Sequence, residues 1–500
     1  MQPPATLPAR DRPKRVSCSF SRARRQRTAG LDRQKAAEEE ELERQRQACE
    51  ALLRELFGTA PVEHIKYRAL DPSIYIQFVD LRIQTFSTIY FHPALRALGL
   101  DVDTAATTRM LWTLLTLIAH LTKDNAANSI DIVVSGLCAN YHVAPTSGLP
   151  LEDKASLRLA VFAALSILTM LFKPTLEPTK DCYGMILSHE RRKAAITTNR
   201  NLSSESTRPV GRLLHGFRNL LPEFNLEIYS PVSPPDSPAD LIHTSTLSYS
   251  VLTTVGKVRI AWTDSIGSHL EFNALTRTLF LFSMPTVCAL GILSEDGETL
   301  WERILEDYFD DTSNKEFSTK EAKNYAATSL RREIILSYRV IFGQDRKSRD
   351  LFDSTRSATA VQHGASLSAI ADSNFSTDPL LRVLCTKACS ELHVLVPHDI
   401  WPDSARDVHG DLQEQDVYSK NLDFPVLGAR LLKLEAFSLR QSPTKFRHVW
   451  RDFRSPFQWY TFWAVVIFAA VTLVFTMLQT LLAIAALAVS IRQLKAAPTA

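Results

Sequence analysis

The sequence predicts a mainly α-helical chain with a small antiparallel β region and a single C-terminal transmembrane helix. Three observations predict it. Apolar residues recur at helical spacing through most of the chain, as in the stripe Cys49, Leu52, Leu53 and Leu56. Short β-branched and aromatic runs cluster in one place, between Val258 and Phe282. Finally, Phe457 to Ile491 carries no charged residue at all.

Composition narrows the function classes. The chain has 500 residues, 45% hydrophobic and 22% charged, which is ordinary for folded protein and excludes a wholly disordered or fibrous one. Glycine is scarce, 16 residues, against a usual share of about 7%. Folds that cradle nucleotides need glycine where backbone approaches phosphate, so the scarcity argues against them. Seven cysteines are too few for a disulfide scaffold.

The net charge of +3 conceals an asymmetry. Residues 1–35 hold ten basic residues against Asp11 and Asp32, a basic arm of disordered composition with Pro3, Pro4, Pro8 and Pro13. It lacks the apolar stretch of a secretory signal. A solvated tail, an anionic-lipid contact and a nucleic-acid arm are the three readings of it. The heptads of a leucine zipper do not follow, so nucleic acid is not the expected partner.

Taken in order, residues 36–196 read as a helical domain. Its segments are Glu38–Leu56 (stopped by Gly58), Ile74–Ile89, Asp103–Leu121, Ser129–Cys138 and the apolar Leu159–Phe172. The last is too short to span a bilayer and reads as a buried helix. Residues 197–240 turn to Ser, Asn and Pro, with Ser-Pro pairs at Ser230, Ser233 and Ser237, and read as an exposed linker open to proline-directed phosphorylation. Residues 241–350 read as a small antiparallel β-sheet, opening with the Thr-, Ser-, Val- and Leu-rich run His243–Thr254, plus amphipathic helices. Its strands are Val258–Trp262, His269–Phe272 and Thr278–Phe282, with Asp264-Ser265 as a hairpin turn. Helices follow at Leu300–Phe309 and Thr319–Phe342. Residues 351–378 read as a flexible insert and 379–456 as a helical juxtamembrane region, with one helix over Pro379–Val396.

Residues 457–491 are the membrane span and 492–500 a short tail. The hydrocarbon core is about 30 Å thick and needs about 20 apolar residues. Trp459, Tyr460 and Trp463 form the aromatic belt expected at an interface. Arg440, Lys445, Arg447, Arg451 and Arg454 precede the span, offset by Asp452, and Arg492 and Lys495 follow it. That bias places the N-terminal side in the cytosol. The expected topology is tail-anchored and single-pass, at the endoplasmic reticulum or onward secretory membranes including the plasma membrane.

Two constellations invite chemistry. Cys385, Cys389, His393 and His398 suggest zinc, but successive ligands climbing one helix cannot surround a metal tetrahedrally. Asp264, His269 and Glu271 suggest acid–base work, with strand alternation putting the last two on one face, yet no nucleophile or phosphate loop lies beside them. Arg346, Lys347 and Arg349 form a basic cluster that reads as a solvated helix start or a contact for an acidic partner or lipid. No catalytic residue, metal site or cofactor is assigned.

Three stretches carry a resemblance: Arg259–Leu281, Glu333–Phe352, and Phe424–Ala464 with FPVLGARLL and FSLRQSPTKFRHVWRDFRSPFQWYTFWA. Together they resemble a group of filamentous-fungal membrane proteins of unassigned function. The resemblance covers roughly Tyr249 to Ile491 and is most specific in the block leading into the span. It implies the anchored architecture, a fungal source and accessory, strain-variable genes, some near chromosome ends; it implies no catalytic residue, cofactor or ligand.

The expected role is a non-catalytic interaction or scaffold protein whose partners are the lipid bilayer, a protein not yet identified, and a second copy through a helix-mediated homo-oligomer. A membrane-tethered enzyme and a protein altering hyphal surface or colony and biofilm behaviour stand as alternatives. The topology makes a direct prediction. The sequons Asn201-Leu-Ser203 and Asn374-Phe-Ser376 lie on the cytosolic side and carry no glycan. Glycosidase treatment of the intact protein leaves its mobility unchanged; a shift would reverse the orientation.

Overall fold

The computed structural model describes residues 39–58, 67–102, 107–124, 128–143, 145, 148–178, 182–186, 205–217, 220–222, 237–294, 299–309, 320–362, 378–441 and 456–496. The described part is mostly helical, and one apolar core runs from Cys49 to Leu434.

At its centre lies the Leu151–Thr169 helix, with every residue from Leu157 to Thr169 buried. From Leu159 on, this helix is almost wholly apolar on every side because neighbours cover all its faces. The helices His92–Ala97, Thr107–Asp124 and Ile130–Asn140 pack against it. Arg158, its one buried cation, is matched by both oxygens of Asp131 at 2.7 and 2.8 Å. Met170 ends the helix at φ +53°, its N–H bonded to Ser166 O at 3.0 Å. Other helices start and stop where the sequence signals them. Helix 39–57 ends at Gly58 with φ +57°, and the Ser129 hydroxyl accepts the Ile132 N–H at the start of Ile130–Asn140.

The second half is built on the Lys320–Tyr338 helix, which continues into a π turn at Arg339–Gly343. Pro285–Ile292, Leu300–Phe309 and Pro379–Thr386 pack along it. The β region is small, as expected, but mixed. Thr278–Phe282 lies in the middle, antiparallel to Phe272–Asn273 and parallel to Arg259–Thr263. Asp264-Ser265 is therefore not a hairpin turn. The chain instead dips to the end of the central helix, where Ile266 and Gly267 N–H donate to Met170 and Leu171 carbonyls at 2.7 and 2.9 Å. The last leg then returns parallel to the first strand.

Four further expectations are corrected. The segment 197–240 holds a buried helix, Val210–His215, and is not wholly an exposed linker. His243–Thr254 forms two short helices, Thr244–Leu247 and Tyr249–Thr254, beside a strand, Leu241–His243, that pairs antiparallel with Val417–Ser419. The insert 351–378 begins inside the helix Arg346–Gln362. The helix expected over Pro379–Val396 breaks into Pro379–Thr386 and Cys389–Leu395. Its cause is the buried Arg339 guanidinium, which donates to the Leu384 and Lys387 carbonyls and so caps the first helix. The sequons, the basic arm and the Ser-Pro pairs at Ser230 and Ser233 lie outside the described residues.

Gly211 explains why Val210–His215 can dock. A Cβ there would stand 2.1 Å from Ile304 O and 2.5 Å from Tyr308 N, so two backbones touch where any side chain would separate them. Neither neighbour is a flexible side chain that could yield. Gly211→Val therefore destabilises the body by about 3 kcal/mol or more, the upper range for overpacking. Chemical denaturation of the detergent-solubilised chain measures it; a wild-type midpoint would contradict the contact.

Candidate membrane anchor

The helix Pro456–Ala496 runs 41 residues, and within it Trp463–Arg492 is 30 residues long and apolar enough to cross a membrane. None of that stretch is buried inside the protein. Phe468, Phe475 and Leu482 stand 75%, 61% and 64% exposed. Monomeric soluble proteins rarely show contiguous apolar surface beyond a few hundred Å². Only hydrocarbon or another apolar surface accommodates a helix bare on every side.

The helix meets the requirements of that environment. Its backbone bonds are internal, as lipid demands. Its hydroxyls follow suit: Thr472, Thr476 and Thr480 donate to the carbonyls of Phe468, Thr472 and Thr476, each at 2.8 Å, and Ser490 to Ala486 O at 3.0 Å. At 1.5 Å per residue the 30-residue stretch is about 45 Å long, longer than the hydrocarbon by about half.

Of the interface residues read from sequence, Tyr460 and Trp463 lie one turn apart at the start of the stretch, the first exposed and the second half-buried. Trp459 is on the same helix. Arg447, Arg451 and Arg454 lie outside the described residues.

The residues that suggested catalysis and metal binding are scattered. Asp264 pairs with Arg82 and stands 3.9 Å from Lys173. His269 is wholly buried, and Leu270 at φ +60° breaks the alternation that would align it with Glu271. Cys385 is buried, Cys389 donates to Leu412 O at 3.0 Å, His393 is exposed, and His398 sits 3.1 Å from Asp411. Among the described residues no group of three or more His, Cys, Asp or Glu side chains is placed to hold a metal ion. In the basic cluster, Arg349 donates to the Gly343 and Gln344 carbonyls, and Arg346 lies 3.9 Å from Asp350. A surface groove of about 680 Å³ beside it mixes Arg68, Arg382 and Lys387 with Asp350, Asp353 and Glu391, and presents no single sign of charge.

Buried charge is instead concentrated behind the C-terminal part of the body, where sequence patterning gave no signal. Glu333, fully buried, accepts the N–H groups of Val426 and Leu427 (3.0 and 2.6 Å) and the Ser329 hydroxyl at 2.9 Å. Burial outweighs those donors and raises its pKa from 4.5 to about 7. Asp378 caps Pro379–Thr386 and accepts both the N–H and hydroxyl of Thr286; burial raises it from 3.8 to about 6. His269 accepts the Phe282 N–H at Nδ1 (3.1 Å), so Nε2 carries the proton and donates to Ser337 Oγ at 2.8 Å. Burial, then the Arg430 charge, depress its pKa from 6.5 to about 3. Arg430 donates to the carbonyls of Gly267, His269 and Leu220.

The chain matches no protein-family model, no curated protein and no solved structure.

These groups pull stability in opposite directions with pH. Raised carboxylates hold protons that the unfolded chain releases, so their contribution falls as pH rises from about 4 to about 7. Depressed His269 refuses a proton that the unfolded chain accepts, so its contribution falls as pH drops below 6.5. His269→Gln therefore makes Tm decline more steeply than wild type between pH 5 and 7, and Glu333→Gln makes it rise. Thermal melts of the detergent-solubilised chain decide this; equal pH slopes in all three proteins would contradict the assignment.

Proposed function

We propose that the protein is a non-catalytic interaction protein held to a membrane by its C-terminal helix, with the helical body on the cytosolic side. The observation that carries the reading is the bare helix Trp463–Arg492, uncharged from one end to the other until Arg492. Basic residues ahead of it support the orientation. The likeness of the block Phe437–Ala464 to filamentous-fungal membrane proteins supports the same architecture and a fungal source.

The buried groups Glu333, Asp378, His269 and Arg430 are engaged in holding the fold, and the groove beside Arg349 mixes both signs of charge. This supports a protein acting by its surface, through a protein partner brought to the bilayer. The membrane is the endoplasmic reticulum or one downstream of it. A stretch of about 45 Å exceeds the hydrocarbon of the endoplasmic reticulum, about 27 Å, more than that of the plasma membrane, about 33 Å.

The experiment removes the anchor. Deleting residues 457–500 moves the protein from the pellet to the supernatant of carbonate-washed membranes. A truncated chain that stays in the pellet would place the membrane attachment elsewhere.

A further inference from the structure

Gln479 is the one side chain between Trp463 and Arg492 whose polarity the helix does not answer. The midpoint of the stretch falls between Met477 and Leu478, so this carboxamide sits close to the middle of the bilayer. The other polar side chains there are Thr472, Thr476, Thr480 and Ser490, and each hydroxyl is bonded to the carbonyl four residues back. Gln479 is exposed and makes no hydrogen bond among the described residues. An amide has two donors and an acceptor, and hydrocarbon answers none of them.

The residues around it form a face. At about 100° per residue, Thr472, Thr476, Gln479, Thr480, Ala483 and Ser490 fall within an arc of about 100°, which Ala469 shares and which Val465 and Leu487 enter about two turns or more from Gln479. The opposite side carries Val471, Val474, Leu478 and Leu481. Small side chains flanking a polar one let two helix backbones approach closely, the arrangement that joins helices in membranes.

We propose that this face binds a second copy of the chain, as a parallel helix pair joined by reciprocal Gln479–Gln479 hydrogen bonds. Two considerations select a second copy over another protein's helix. Copies inserted with the same orientation carry Gln479 at the same depth without further requirement, whereas a foreign helix must supply its own polar group at that level. The carboxamide is also self-complementary: across a two-fold axis each NH2 donates to the other's carbonyl. The helix pair would place two bodies side by side on one membrane face and double the surface offered to a partner. The proposal rests on the membrane reading above.

The test uses the full-length chain, one population fused to a donor and one to an acceptor fluorescent protein at the N-terminus, co-reconstituted in phosphatidylcholine vesicles over a range of lipid-to-protein ratios. Energy transfer beyond random proximity is expected for wild type. Gln479→Leu weakens association about tenfold, Gln479→Asn retains most of it, and Leu478→Ala on the opposite face leaves it unchanged. Flotation of every variant with the vesicles is measured alongside. Variants that float while Gln479→Leu associates like wild type overturn the proposal and leave the anchor standing. A wild-type chain that floats but stays monomeric also overturns it, assigning Gln479 to another protein's helix. A wild-type chain that fails to float defeats the membrane reading itself.

Discussion

The constraint on which the body depends is a carboxylate sealed in its core. Glu333, on the long helix Lys320–Tyr338, accepts the N–H groups of Val426 and Leu427 immediately before the helix Gly428–Leu439 begins. The N–H of Leu427, the N-cap, is one that a helix start leaves without a partner, and an acidic side chain also suits the positive end of the helix dipole. The same helix answers in kind. Its Arg430 reaches back to three carbonyls, including that of His269, whose ring holds Ser337 on the long helix. The result is a closed circuit through Lys320–Tyr338, the 264–271 crossover and Gly428–Leu439. Each member leaves another buried group unsatisfied if it is removed, which costs several kcal/mol for a charge.

The body and the C-terminal helix treat their polar groups differently. Inside the body, every large polar group described above meets a backbone or side-chain partner: Arg158 with Asp131, Arg339 with Glu414 and the carbonyls of Leu384 and Lys387. Along the anchor there is no charge to match between Trp463 and Ile491, and the hydroxyls turn inward to their own helix. The C-terminal helix of the body is thus fixed to the core by charge, while the span that follows presents apolar surface on all sides.

The parts legible in the sequence are the parts specified locally. The uncharged run Phe457–Ile491, the buried apolar stretch Leu159–Phe172, the stop at Gly58 and the helix from Ser129 are each written in the consecutive residues of the feature itself. What escaped is non-local. The parallel pairing of Arg259–Thr263 with Thr278–Phe282 depends on the crossover reaching Met170 and Leu171, which no pattern inside 258–282 encodes. Leu241–His243 finds its partner strand at Val417–Ser419, far along the chain. Val210–His215 hides in a Ser- and Pro-rich context, betrayed only by a glycine whose meaning lies on Leu300–Phe309. His269 drew notice as a chemical group but serves as a neutral strut, because its ring partners come from Ser337 and Phe282. Of the C-terminal helix, the length and apolarity were readable from composition; the contrast between bonded hydroxyls and the unanswered Gln479 needed the helix geometry.

The central claim is that Trp463–Arg492 crosses a bilayer. Polarised infrared spectroscopy on oriented bilayers tests it most directly, using the full-length chain with 13C-labelled carbonyls at Ala469 and Ala485. The account predicts a helix axis within about 40° of the bilayer normal, the range of transmembrane helices. An axis lying in the plane of the membrane would contradict it.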